Sequence, residues 1–326
     1  MITKQFSLGK IPENLPGCFP FSNTISFLDI ESTGYARKNA SLAYAGCLFP
    51  ENGCWIAALW ITETKQEETA LLSALFAKLS SCTALVTFGG TSFDLPFLKK
   101  KASALGLSFP LSDLSHLDLY QAIRPFQKLF GLEHMDQKSL EHLLGLVRSP
   151  EDNDLTMLPK LLPLLSFLDL KNGSFQEVSG HPAADPKAFQ YQLSITLPFS
   201  LPFPISHMYE HFYLKGEGNQ VQLLVYGFSG TLKYFFQDYK NYYYLPAEDQ
   251  AIHKSVAAYM DKKNRVPAKA STCYIKKSGN FLPSPAVGTY FLSEWKASDA
   301  WLLYTPDWEA NPENLQSYAR FLLSFL

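Results

Sequence analysis

Thr24-Ile25-Ser26-Phe27-Leu28-Asp29-Ile30-Glu31 (TISFLDIE) is the stretch from which the rest of the chain is read. Its β-branched and aromatic residues predict a strand. The side-chain period of two sends Asp29 and Glu31 to one face and turns Ile30 into the opposite core. Two carboxylates then face one region of space, which is unfavourable unless a cation neutralises them. Hard oxygen donors at a strand end suit Mg²⁺ or Mn²⁺. Taken alone, such a pair of acids also occurs on a solvated strand face. Ser32-Thr33-Gly34 follows as a turn, in which Gly34 leaves room for a ligand against the backbone.

Outward from this strand, Ser41 to Phe49 and Trp55 to Thr62 are two apolar runs separated by Pro50-Glu51-Asn52-Gly53, so the three runs predict an antiparallel meander. Leu71, Leu72, Leu75, Phe76 and Leu79 have helical spacing within Gln66 to Leu79. Ala84 to Phe88 reads as a short strand stopped by Gly89 and Gly90, with Thr91 or Ser92 placed to cap a helix that runs toward Gly106. Asp94 falls near the start of that helix. A strand at His116 to Leu119 and helices near Ser139 to Leu144 and Asp154 to Leu168 complete a mixed α/β sheet. His116 reads as a support of the strand end and Asp118 as a helix cap. Gly173 to Pro186 is small, polar and broken by Pro and Gly, and reads as a linker between a domain of residues 1–172 and one of residues 187–326. The second part predicts strands at Phe189 to Leu197, Glu210 to Leu214, Val221 to Tyr226 and Thr231 to Phe236, then a helix from Glu248 to Lys262, an antiparallel α+β domain.

A length of 326 residues accommodates two hydrophobic cores, and 47% apolar against 18% charged residues excludes a disordered chain. No apolar run approaches the ~20 residues that cross a bilayer, and no apolar leader is present, which predicts a cytoplasmic protein with no membrane partner. Five cysteines without a C-x-x-C pair read as buried free thiols rather than a disulfide framework or zinc knuckle. With 28 Lys and Arg against 30 Asp and Glu, a nucleic-acid partner requires a local basic patch. Lys254 to Lys277 supplies one, with Lys262, Lys263 and Arg265 among seven basic residues opposed by Asp261 alone. Seven aromatic residues between Tyr234 and Tyr244 precede it, and rings beside cations suit single-stranded nucleic acid. The plainer alternative buries those rings and solvates the lysines. Lys99 and Lys100, on the helix that begins near Asp94, are a second candidate phosphate contact beside the acids, or else a solvated helix face.

FLDIESTG together with FGGTSFDLPFL, which carries Asp94, resembles the first two motifs of the DEDD 3′-to-5′ exonucleases of the ribonuclease-H superfamily. The flanking text, with His116-Leu117-Asp118-Leu119 and Ser139 to Gly145 (SLEHLLG), looks like the YprB-like predicted exonuclease branch over roughly Ser22 to Leu170, and LKYFFQDYKNYYYLPAEDQAIHKSV is similar to that group's C-terminal region. The resemblance implies a ribonuclease-H-like mixed sheet with flanking helices. It also implies metal-dependent hydrolysis of DNA or RNA from a 3′ end by a two-metal mechanism. Asp29, Glu31, Asp94 and a fourth carboxylate on a late helix, Asp154, would hold Mg²⁺ or Mn²⁺. This chain departs from the family at one place: Ser149 and Pro150 stand where a His or Tyr assists the attacking water, and the segment before Asp154 is short. Asp152 or Glu151 are alternative ligands, and His134 or His142 alternative sources of the base. The departure keeps open a second outcome, a catalytically impaired ribonuclease-H-like protein that binds nucleic acid or acts as a scaffold.

Overall fold

The computed structural model describes residues 1–33, 40–184 and 188–326. Gly34 and the end of the expected linker at residues 185–187 lie outside the described residues. The chain divides into two compact units: one of Met1–Leu170 with Phe199–Phe203 and Leu326, the other of Lys171–Pro198 and Pro204–Phe325.

The first unit contains β1 (Ile2–Lys10), β2 (Ile25–Ser32), β3 (Leu42–Glu51), β4 (Cys54–Ile61), β5 (Ala84–Thr87) and β6 (Ser115–Asp118). Its helices are α1 (Glu68–Leu79), α2 (Asp94–Ala104), α3 (Leu119–Ile123), α4 (Gln127–Phe130), α5 (Gln137–Leu143), α6 (Asp154–Leu161) and α7 (Ser166–Lys171). One six-stranded sheet has the order β1-β4-β3-β2-β5-β6. The meander β2-β3-β4 is antiparallel, whereas β5 and β6 run parallel to β2. The edge strand β1, paired antiparallel with β4, was not expected: its side chains are almost all exposed, so it carries no apolar alternation to read.

β2 is central and apolar on both faces, as a strand covered on both sides must be. Leu28 and Ile30 join a core with Leu72 and Leu75 of α1 and Phe97 and Leu98 of α2. On the other face Phe27 packs edge-on against Trp55 with centroids 5.1 Å apart. The period of two therefore leaves Asp29 and Glu31 on the face opposite α1 and α2. The run from Asp154 is not one helix: it is divided into α6, which accommodates Pro159, a 3₁₀ turn at Leu162–Leu165 that carries Pro163 near its start, and α7. Neither Thr91 nor Ser92 caps α2; the cap position is Phe93, and the Ser92 hydroxyl donates instead to the Gly89 carbonyl at 2.8 Å.

The second unit is built on antiparallel strands. β7 (Glu177–Ala183), β8 (Gln190–Thr196), β9 (Ile205–Met208), β10 (Phe212–Glu217) and β11 (Gln220–Tyr226) form a sheet in the order β7-β8-β11-β10-β9. β12 (Phe228–Phe235), β13 (Tyr242–Leu245), β14 (Gln250–His253), β15 (Val266–Pro267), β16 (Tyr274–Ser284) and β17 (Ala300–Leu303) make two three-stranded sheets, β12-β16-β17 and β14-β13-β15. Helices α8 (Lys254–Ala257), α9 (Pro306–Glu309) and α10 (Pro312–Leu323) complete it. Two expectations are corrected here. Half of the expected linker, Glu177–Ala183, is β7, an edge strand that among the described residues pairs with β8 alone; an edge position tolerates Pro182 and exposed polar residues, which is why it reads as a linker. The expected helix from Glu248 to Lys262 is instead β14 followed by the four-residue α8, because Gln250–His253 pairs with Tyr242–Leu245. The acids and cations at its ends mimic a helix pattern that cross-strand pairing overrides. The five thiols are free of disulfides as expected, but only Cys47 and Cys273 are fully buried.

Candidate active site

Asp29 and Glu31 stand across the β2–β3 ladder from Gly46 and Tyr44 respectively. Directly opposed residues of an antiparallel pair share a face, so these four positions line one patch of the sheet. α6 covers it: a Cβ added to Gly46 would lie 2.5 Å from Leu155 Cδ2 and 2.6 Å from the Tyr44 hydroxyl. Only glycine admits both neighbours. Leu155 is fully buried, and the adjacent Asp154 begins α6, whose start is fixed by a reciprocal cap: Thr156 N–H donates to Asn153 Oδ1 at 3.0 Å and Asn153 N–H to Thr156 Oγ1 at 2.9 Å.

Asp29 Oδ2 is buried and has no hydrogen-bond partner among the described residues. Burial pushes the Asp29 carboxyl well above the usual carboxylate range, and the charges of Asp94, Asp154 and Glu31 add to the shift. The structure thus brings all four expected acids into one electrostatic field centred on Asp29. Asp94, 6% exposed at the first position of α2, is raised to about 7 by burial and then by Asp118.

The strand-to-helix turn that presents Asp94 is clamped. Asp118 accepts N–H bonds from Gly89 at 2.8 Å and Thr91 at 3.0 Å while capping α3 through Tyr120 and Gln121. Its four donors make it a structural carboxylate rather than a ligand. Gly89 has φ 77°, and a Cβ on Gly90 would meet Thr87 Oγ1 at 2.4 Å, so the turn needs both glycines. His116 Nε2 sits 2.8 Å from the same Thr87 hydroxyl and supports the end of β5. Beside this turn lies a cleft of about 570 Å³ whose lining includes Phe88, Gly89, Tyr120, Arg124 and His134.

Sequence reasoning missed the partner of Asp154. Arg148 Nη1 lies 2.7 Å from Asp154 Oδ1, and the same guanidinium grips buried Glu141 with two bonds of 2.7 Å. Gln137 joins them, donating to Glu141 Oε1 at 3.0 Å and to the Asp154 carbonyl at 2.8 Å. The alternative ligand Asp152 is committed elsewhere, accepting from Ser149 N–H at 2.8 Å and its hydroxyl at 3.0 Å. Glu151 and His142 are exposed, and His134 lines the cleft.

The donor chemistry suits a hard divalent cation: carboxylate oxygens, one of them buried with no hydrogen-bond partner among the described residues. Among the described residues, however, no three His, Cys, Asp or Glu side chains are gathered closely enough to hold an ion, and Asp154 is turned to Arg148.

The basic candidates divide into free and committed cations. Lys99, Lys100, Lys262 and Lys263 are exposed. Their neighbour Lys101 is held by Glu68 at 2.7 Å. Arg265 is engaged within its own unit, donating to the Ala257 carbonyl and lying 4.8 Å above the Tyr243 ring. The aromatic run from Tyr234 to Tyr244 exposes no open platform: each ring is buried or half-buried, and Phe236 stacks on Tyr242 at 4.5 Å.

Residues 26–162 match the model of the RNase_H superfamily. The match covers less than half of the chain and lies within the first unit, whose mixed sheet with flanking helices has the ribonuclease-H-like architecture expected. Among solved structures, product-bound exonuclease I aligns with 12% identity and a TM-score of 0.35 over 59% of this chain and 58% of that one. The metal-free E. coli exonuclease I–ssDNA complex aligns at 13% and 0.31 over 60% and 54%. The family B DNA polymerase of the archaeon Pyrobaculum calidifontis aligns at 13% and 0.36 over 99% and 50%. The chain thus spans little more than half the length of these proteins. No curated protein sequence matches it. Among the described residues no helix is long and apolar enough to cross a membrane.

Proposed function

We propose that the ribonuclease-H domain is a metal-dependent 3′-to-5′ exonuclease of the YprB-like kind, acting in the cytoplasm on single-stranded DNA or RNA. The observation that carries this reading is the buried, unpartnered carboxylate oxygen of Asp29, with Glu31, Asp94 and Asp154 in its field. A group that repels its neighbours and lacks a donor is stabilised by a cation supplied from outside. Asp29, Glu31, Asp94 and Asp154 would hold Mg²⁺ or Mn²⁺. When bound, two such ions polarise a water and steady the departing oxygen of a phosphodiester. The chain's own residues do the positioning. Asp118 fixes the turn that presents Asp94, the cap of α6 fixes Asp154, and the cleft at Phe88 and Tyr120 offers aromatic walls and Arg124 to a nucleotide. Lys99 and Lys100 would meet phosphates near the acids, and the second unit would hold the strand through Lys262 and Lys263, with Arg265 keeping their segment in place.

One observation favours a second reading, a nucleic-acid-binding or scaffolding protein of impaired activity. Arg148 already neutralises Asp154, and Ser149 and Pro150 offer no side-chain base. The deciding experiment is Mn²⁺-dependent digestion of end-labelled single-stranded DNA and RNA, with EDTA and the Asp29→Ala protein as controls. Hydrolysis that both controls abolish is expected, with the substitution costing on the order of 10³-fold in rate. Strand binding without hydrolysis by folded protein would establish the second reading.

A further inference from the structure

Asp29 Oδ2 is not the only orphan on its patch. The Tyr44 hydroxyl is also buried without a partner among the described residues, and the residue is 9% exposed. The ladder pairs Tyr44 with Glu31 and Gly46 with Asp29, and the phenol leans along β3 so that its oxygen packs against Gly46, the residue opposite Asp29. Leu155 of α6 and Leu59 pack against the same glycine. After burial, the charges that act most strongly on the phenol are those of Asp29 and Glu31, followed by Cys47 and Asp154.

A phenol O–H and a carboxylate oxygen make a good hydrogen bond when they meet, yet among the described residues neither the Tyr44 hydroxyl nor Asp29 Oδ2 has a partner. Leaving two such groups bare in a protein interior is costly, and well-built sites keep them so when a third atom completes both. We infer that Tyr44 is a positioning residue of the acidic patch: its hydroxyl donates a hydrogen bond to the water shell of the divalent cation that Asp29 takes up. This rests on the metal-dependent reading above. A phenol is protonated at neutral pH, so Tyr44 acts as a donor and not as a base. Its place on β3, remote in sequence from Ser149 and Pro150, makes it an addition to the site that the late-helix segment does not supply.

The test uses the full chain and two readouts, calorimetric titration with Mn²⁺ and thermal unfolding in EDTA. Tyr44→Phe is expected to weaken Mn²⁺ binding about tenfold, the scale of one lost hydrogen bond. In EDTA the variant should melt at or above the wild-type temperature, since an unpaired hydroxyl has been removed. Gly46→Ala, which drives a methyl into the space of the Tyr44 hydroxyl, is expected to weaken Mn²⁺ binding with the phenol still present. Unchanged Mn²⁺ affinity in Tyr44→Phe overturns the inference, as does a lower melting temperature in EDTA with affinity intact, which marks an ordinary core hydroxyl. Asp29→Ala separates the two levels. If it abolishes Mn²⁺ binding while Tyr44→Phe does not alter it, only Tyr44 is misassigned; if the wild type binds no Mn²⁺, both readings fall together.

Discussion

Two aspartates of one sheet, Asp29 on β2 and Asp118 at the end of β6, stand two strands apart and are treated in opposite ways. Asp118 is buried and receives backbone N–H groups from Gly89, Thr91, Tyr120 and Gln121. Asp29 has a buried oxygen with no hydrogen-bond partner among the described residues, and the charges there that add to the effect of burial are those of Asp94, Asp154 and Glu31. A carboxylate that serves architecture is saturated by its own chain. A carboxylate held for a cation, the role proposed for Asp29, keeps an oxygen that the described residues do not satisfy. The contrast separates two acids that the sequence presents with equal prominence, LDL at Asp118 and LDI at Asp29.

The most damaging way to break this contrast is at Asp118. Asp118→Ala removes the acceptor of four N–H groups and should cost the ribonuclease-H unit about 3 kcal/mol, read as a lower melting temperature. A near-neutral outcome would mean that the Gly89–Thr91 turn is held by other contacts.

A second test is pH. The folded-state pKa values of Asp29 and Asp94 lie above the usual carboxylate value, for Asp94 at about 7, so the metal-free fold binds more protons than the unfolded chain between about pH 4 and 7. Stability from this source is full below the unfolded value and is lost as pH rises through the folded one. In EDTA the melting temperature should therefore fall between pH 5 and pH 8. Asp94→Asn should flatten that slope, and saturating Mn²⁺ should do the same by favouring the ionised forms. A melting temperature that rises across this interval would contradict the assignment.

The smallest effect is expected at Arg148. The Asp154 pair is half exposed, so freeing the carboxylate by Arg148→Met should tighten Mn²⁺ binding by only about fivefold. The fold should loosen at the same time, because buried Glu141 loses both bonds from Arg148 and keeps the one from Gln137. If calorimetry shows the same Mn²⁺ affinity, Asp154 does not belong with the other three acids.

Local pattern made much of this legible. β2 announces itself by composition, and alternation alone assigns Asp29 and Glu31 to the face away from Ile30. The two glycines before Asp94 mark a strand-to-helix turn because few other residues tolerate it. What escaped depends on register and on edges. The two-residue turn at Asn52-Gly53 fixes how β3 meets β4, but the longer connection from β2 to β3 leaves open which residue of β3 faces Glu31, so Tyr44 is invisible as a member of the site. The Arg148–Asp154 pair depends on how a short segment folds back on α6, which no periodicity encodes. β1 and β7 lie at sheet edges, where the solvent side admits polar residues and proline. β14 was hidden because its pairing with β13 outweighs a charge pattern suited to a helix.

The Asp118 clamp has a consequence on the scale of time. Gly89 and Thr91 sit in a turn between a strand and a helix, where amides ordinarily exchange with solvent quickly. Here both N–H groups are locked to one carboxylate at the end of the neighbouring strand. Their release requires β6 and the start of α3 to open together, so this loop keeps the slow clock of the sheet, and Asp94 inherits it.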